Sequence, residues 1–160
     1  MPTTIPTKTK PTIETLAKLY LNQEPAIVSD EIKAEFCDWI LEQFQVLPFA
    51  VQADYTMHYS NATEMFEDIA NEHLWVSMAE YDSEFYNNVF CGFALLAVHD
   101  YDHYQTQSDF TLAGEMQAYK NIASRAPRLE IQKILYSELV LKSAARLYLG
   151  KRPEPKVVFP

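Results

Sequence analysis

The run Val89-Phe90-Cys91-Gly92-Phe93-Ala94-Leu95-Leu96-Ala97-Val98-His99-Asp100-Tyr101-Asp102-His103-Tyr104 decides the fold. From Val89 to Val98 it is apolar on nearly every side. That is the pattern of a helix buried all round, not one that rests a single stripe on a core. A chain with such a segment must wrap other elements about it. The spacing predicts a central helix from about Asn88 to Tyr104. The run then changes character: His99 and His103, two of only four histidines, follow one turn apart with Asp100 and Asp102 between them.

On both sides of this run the sequence reads as helices with a small β element. A short helix is expected from Thr12 to about Leu21, with Ile13, Leu16, Ala17 and Tyr20 on one face and Pro25 beyond it. Ser29 is a natural N-cap, with Asp30 and Glu31 in the first turn where the helix dipole favours acids. That helix runs to about Gln45 along the stripe Ile32, Phe36, Trp39, Ile40, Phe44, and Pro48 follows it. Phe49–Met57 reads as a strand. Asn61-Ala62-Thr63-Glu64 has capping-box spacing for a third helix, and His73–Ala79 alternates as a second strand able to pair with the first. Tyr81–Asn88 is an acidic loop. Beyond the central helix, Thr111 caps a helix to about Ser124, and Pro127 opens the last one, which Gly150 ends.

The expected fold is therefore mainly α with a small two-stranded β element, as one helical domain over residues 12–150. Residues 1–11 form a proline-punctuated N-terminal arm and 151–160 a C-terminal tail. With 160 residues, 48 % of them hydrophobic, the chain has enough apolar surface for one sizeable core. Three glycines are too few for a turn-rich β sandwich or barrel.

Charge excludes some functions. A net charge of −9 repels phosphate, so contact with nucleic acid through a basic face is not expected, while a basic protein partner is compatible. No apolar run approaches the ~18 residues of a membrane span, and no signal peptide is evident. Cys37 and Cys91 make neither a C-x-x-C pair nor a disulfide framework. Buried thiols in a reducing cytoplasm are the expectation. The three glycines lie far apart, which leaves no phosphate-binding loop.

His99 and His103 at i and i+4 share one helix face, so both imidazoles can reach one metal ion. The spacing is that of H-E-x-x-H with Asp in the place of Glu. Two readings of the pair are open: ligands of a divalent ion such as zinc, or polar residues at a helix C-terminus, where the dipole favours imidazolium. A third ligand must come from elsewhere. Glu115, in the first turn of the next helix, can fold back across a short polar link. Glu138 on the last helix can reach the cluster if the helices bundle. Asp100 stands where a general base would, or serves as an acceptor for a ligand. Asp100 and His103 also form a single carboxylate-x-x-His unit, but a di-iron site needs a second and none is present. His73 is either a helix-end cap or an additional site residue.

The blocks Met65-Phe66-Glu67-Asp68-Ile69-Ala70-Asn71-Glu72-His73-Leu74-Trp75-Val76, then Val98-His99-Asp100-Tyr101 with His103, Phe110, Gly114-Glu115 and Ala118-Tyr119, resemble an ordered set in a family of phage-encoded proteins of uncharacterised function, sometimes labelled metallopeptidases. The resemblance covers roughly 54–148. It implies that His99, Asp100, His103, Glu115, His73 and Glu138 converge, with Ser137-Glu138 matching a later Thr-Glu motif. That family often spaces its histidines one residue further apart, with glycine where this chain has Asp102. The functions in view are a metal-dependent hydrolase of phage or prophage origin acting on a peptide or small molecule, or a non-enzymatic acidic protein that blocks a host factor or serves in a virion.

Overall fold

The computed structural model describes residues 11–79, Tyr86 and 88–160. The arm at 1–10 and most of the acidic loop at 81–88 lie outside the described residues. The elements run α1 (Ile13–Asn22), α2 (Asp30–Gln45), β1 (Ala50–Asp54), α3 (Ala62–Ala70), β2 (His73–Ser77), α4 (Val89–Thr106), α5 (Leu112–Ala123) and α6 (Leu129–Leu135). A π-helical turn (Tyr136–Leu141) then leads into α7 (Lys142–Leu149). The mainly α fold with one small two-stranded sheet is the one its sequence pattern describes.

The helix starts are set by side chains that satisfy otherwise orphaned N–H groups. Thr12 accepts from the Thr15 amide, Ser29 from Ile32, Asn61 from Glu64 and Thr111 from Gly114. Gly150 ends α7 at φ +70°, a left-handed cap that glycine takes without steric cost.

The two strands are parallel, in register from Ala50 opposite His73 to Asp54 opposite Ser77. Parallel neighbours need a crossover, and α3 supplies it. Both strands are shorter than their sequence signals, because pairing ends where β1 gives way to the turn at Tyr55. Leu74 and Val76 are buried under α3 and α4, with Met65, Ile69, Phe93 and Ala97.

Helix α4 is the hub. Cys91, Ala94, Leu95 and Val98 pack with α2 and α6, while Phe93 and Ala97 turn to the sheet. This is why the segment is apolar on more than one side. Cys37 and Cys91 are both buried and free. A further cluster joins Leu16, Ala17 and Tyr20 of α1 to Val140, Leu141, Ala144 and Ala145.

The last helix starts at Leu129, two residues after Pro127, and is interrupted. At the π turn buried Ser137 accepts a hydrogen bond from the Val158 amide (2.9 Å). Residues 151–160, a tail by composition, return through the core. Val157 and Val158 are buried, and the Val157 carbonyl accepts from the Ala26 amide (2.7 Å). The buried Tyr20 hydroxyl donates to the Glu154 carbonyl (2.7 Å) and accepts from the Lys156 amide (3.0 Å). Among the described residues no helix is long and apolar enough to cross a membrane.

Candidate metal centre

The end of α4 is built to fix His103. Gln107 adopts a left-handed backbone (φ 51°), and its N–H caps the carbonyls of His103 and Tyr104. The chain therefore turns back, and Ser108 comes to lie against the ring. Nδ1 of His103 is 3.0 Å from the Ser108 carbonyl and 3.1 Å from its hydroxyl. A carbonyl can only accept, so Nδ1 carries the proton and, in the neutral ring, Nε2 presents its lone pair. The ring is fully buried, with Phe110 edge-on at 5.2 Å.

Four residues after Ser108, the chain enters α5 in very close contact with its own entry loop. A Cβ on Gly114 would lie 1.9 Å from the Asp109 carbonyl oxygen, so only glycine fits. That close approach carries the next residue, Glu115, onto the face of α4.

Three atoms consequently meet. Oε2 of Glu115 lies 2.8 Å from Nε2 of His99 and 3.1 Å from Nε2 of His103, and the two Nε2 atoms are 3.2 Å apart. All three residues are buried, with His99 7 %, His103 0 % and Glu115 8 % exposed. They form the one group of three such side chains, among the described residues, placed to hold a metal ion.

Burial opposes ionisation of Glu115, yet the two imidazoles beside it bring its carboxyl down to about 2. Burial likewise opposes a charged His99, but Glu115 outweighs it and its pKa is raised. Both shifts express the mutual attraction of a carboxylate and imidazoles held in one buried cluster. Nδ1 of His99 is buried without a hydrogen-bond partner. An orphaned buried polar atom costs about 1–3 kcal/mol, a sacrifice of stability typical of functional sites.

The cluster sits on the wall of a cavity of about 350 Å³. Asp100 opens onto the same space. Burial pushes its carboxyl up to about 6, His99 and His103 pull it down, and Glu115 adds to the rise. Glu138 reaches the cavity too, but its carboxylate is 3.5 Å from Lys142 Nζ and it stands outside the three-atom cluster.

His73 is placed elsewhere. It contacts Asp68 through Nδ1 (2.8 Å) and Gln52 through Nε2 (2.6 Å), beside the sheet. His73 is thus not one of the three clustered ligands: contacts with Asp68 of α3 and Gln52 of β1 take up both its ring nitrogens. Asp102 turns from the site altogether. It is 1 % exposed and takes a two-point contact from Arg125 of the α5–α6 link (2.8 and 3.1 Å) and a hydrogen bond from Asn121 (2.6 Å).

Sequence reading passed over the basic side of the cavity. Lys142, Arg146 and Arg152 all line it. The signal was present as Lys142 and Arg146 at i and i+4, one face of one helix. It also passed over His58, which stacks on Trp75 at 4.2 Å and forms part of the wall.

No family model, curated protein or solved structure matches this chain. Its chemistry is therefore read from its own residues.

Proposed function

We propose that this chain is a metal-dependent hydrolase in which His99, His103 and Glu115 hold a divalent ion and Asp100 is the general base. The convergence of Nε2, Nε2 and Oε2 within 3.2 Å of one another on a cavity wall carries the reading. Tetrahedral zinc with bonds of ~2.0–2.1 Å spaces its ligands about 3.3–3.4 Å apart, so the triangle need spread by only a few tenths of an ångström. Two imidazoles and one carboxylate are a catalytic zinc donor set that leaves one position open, and zinc is the ion this chemistry favours. His99, His103 and Glu115 would hold the ion, which would supply water activation and polarisation of a substrate oxygen.

The other roles fall to the protein. Ser108 holds His103 in the tautomer that presents Nε2. Glu115 offsets the charge of the ion. Asp100, with a carboxyl near 6, accepts a proton in the neutral range where a general base works best. Leu95, Leu96, Trp75 and Phe110 make an apolar surround that strengthens every charge interaction in the cavity. The acidic surface supports a peptide or small molecule as substrate.

The test is the metal content of protein purified without chelator and reconstituted with zinc. One ion per chain is expected in the wild type and none in His99→Ala. Asp100→Asn is expected to keep the ion and to lose about 10²–10⁴-fold in hydrolysis across a panel of peptides and esters. A folded wild-type protein that takes up no divalent ion refutes the reading.

A further inference from the structure

The charged groups around the cavity come from different elements. Asp100 and Glu115 belong to α4 and α5. Lys142 and Arg146 of α7, with Arg152 beyond it, supply the basic groups, and Glu138 pairs with Lys142. Three carboxylates and three basic heads line the described wall, and a divalent ion would add two positive charges to it. Uncompensated charge in a low-dielectric space is expensive. Lys142 is itself only 13 % exposed, and 3.5 Å is a long contact to its acidic partner. The wall also carries apolar groups, Trp75 covered by the His58 ring and Leu95, Leu96, Leu139 and Leu147.

We infer that the cavity takes a small molecule with an apolar body and an anionic head, carboxylate or phosphate, the head bound by Lys142 and Arg146 and the reactive bond held at the His99–His103–Glu115 end. The inference rests on the metal reading above and names the substrate class for it. Arginine and lysine one turn apart form a charge-assisted grip on such a head. The apolar groups discriminate little between bodies, so the head supplies the selectivity. An acidic chain with a net charge of −9 gathers three of its 13 basic residues at this one cavity, which is the reverse of what a solvated surface needs.

The experiment titrates zinc-loaded protein calorimetrically with benzoate, with phenylphosphonate, and with benzyl alcohol as the neutral control. Each anion is expected to bind at least tenfold tighter than benzyl alcohol. Arg146→Gln, at an exposed position, should remove about tenfold of anion affinity and leave both benzyl alcohol binding and zinc content unchanged. Lys142→Gln should do the same and is the second variant. Benzoate binding tighter than phenylphosphonate assigns a carboxylate head, and the opposite order a phosphate. Equal affinity for all three probes, or anion affinity untouched in both variants, overturns the inference. Zinc is counted in the same samples. Its absence overturns the metal reading alone, and the anion preference of the zinc-free protein then tests the basic groups by themselves.

Discussion

Asp102 and Arg125 allow a sharp test of which carboxylate on α4 serves the fold and which serves the site. The Asp102 carboxylate is buried to 1 %, whereas the Arg125 side chain is 35 % exposed. Removing one partner of a buried ion pair costs about 3–5 kcal/mol, because the other is left uncompensated. Here the two removals are unequal. In Asp102→Ala, the surviving guanidinium keeps Gln43 (2.9 Å), the Asn121 carbonyl (3.1 Å) and access to water, which places the cost near ~3 kcal/mol. In Arg125→Ala, the surviving carboxylate keeps only the Asn121 amide and is sealed from solvent, which places the cost near ~5 kcal/mol. The double variant should cost less than the sum, with coupling of ~1–3 kcal/mol. Urea unfolding in EDTA at pH 7 measures all three, and the Asp102→Ala loss corresponds to a fall in Tm of about 6–12 °C. Zinc stoichiometry of folded Asp102→Ala should match the wild type. A larger loss for Asp102→Ala than for Arg125→Ala, or a folded Asp102→Ala that binds no zinc, would refute this division of labour.

Three other outcomes are expected. Gly114→Ala raises intrinsic helix propensity, yet its Cβ meets the Asp109 carbonyl at 1.9 Å, so the variant should lose about 2 kcal/mol or more and bind zinc at least tenfold more weakly through a displaced Glu115; a stabilised variant with unchanged zinc affinity would show that the close approach is not needed. At Asp68, burial opposes ionisation, but the Tyr59 hydroxyl and His73 hold the carboxyl below its usual value, so its contribution to stability is complete above the unfolded pKa of ~3.9 and disappears as pH falls through the folded value. The stability gap between wild type and Asp68→Asn, read by urea unfolding at pH 7, 4 and 3, should therefore shrink with acid; a constant gap contradicts the assignment. Tyr20→Phe leaves the Glu154 carbonyl and Lys156 amide without their buried partner and should cost about 1–2 kcal/mol, with faster hydrogen exchange at Lys156 as the local readout.

Much of this was legible in the chain, for reasons that differ from element to element. The helix starts were, because Thr12, Ser29, Asn61 and Thr111 are local caps whose chemistry acts within three residues. The buried α4 was, because an all-round apolar run has few other uses. The ion pair of Asp102 with Arg125 was not. Asp100 and Asp102 lie about 200° apart around the helix axis, so only one can share the side of the histidines, and which one depends on where α5 docks. The π turn was invisible too. Its Ser137 hydroxyl bonds the Val158 amide, a partner 21 residues away. The same holds for residues 151–160, whose proline-rich composition reads as loose while Val157 and Val158 are core.

The supports of the cluster lie on α4, on α5 and on the links at either end of α5: the Asp102–Arg125–Asn121 clamp, the Ser108 hold on His103 and the Gly114 approach to Asp109. The basic groups belong to α7 and the segment after it, which pack on α1, on the π turn and on Leu112, Met116 and Tyr119 of α5. The two sets of side chains thus sit on different elements that touch through α5. Perturbations on α4–α5 should change ion affinity, and perturbations on α7 should change which molecule is bound. Sites more than 7–10 Å apart with no shared partner add nearly independently in free energy. A Gly114→Ala, Arg146→Gln double variant should then lose zinc affinity as Gly114→Ala does and anion preference as Arg146→Gln does. A strong departure from additivity would mean that the ion and the head group share one binding point, and that the cavity works as a single pole instead of two.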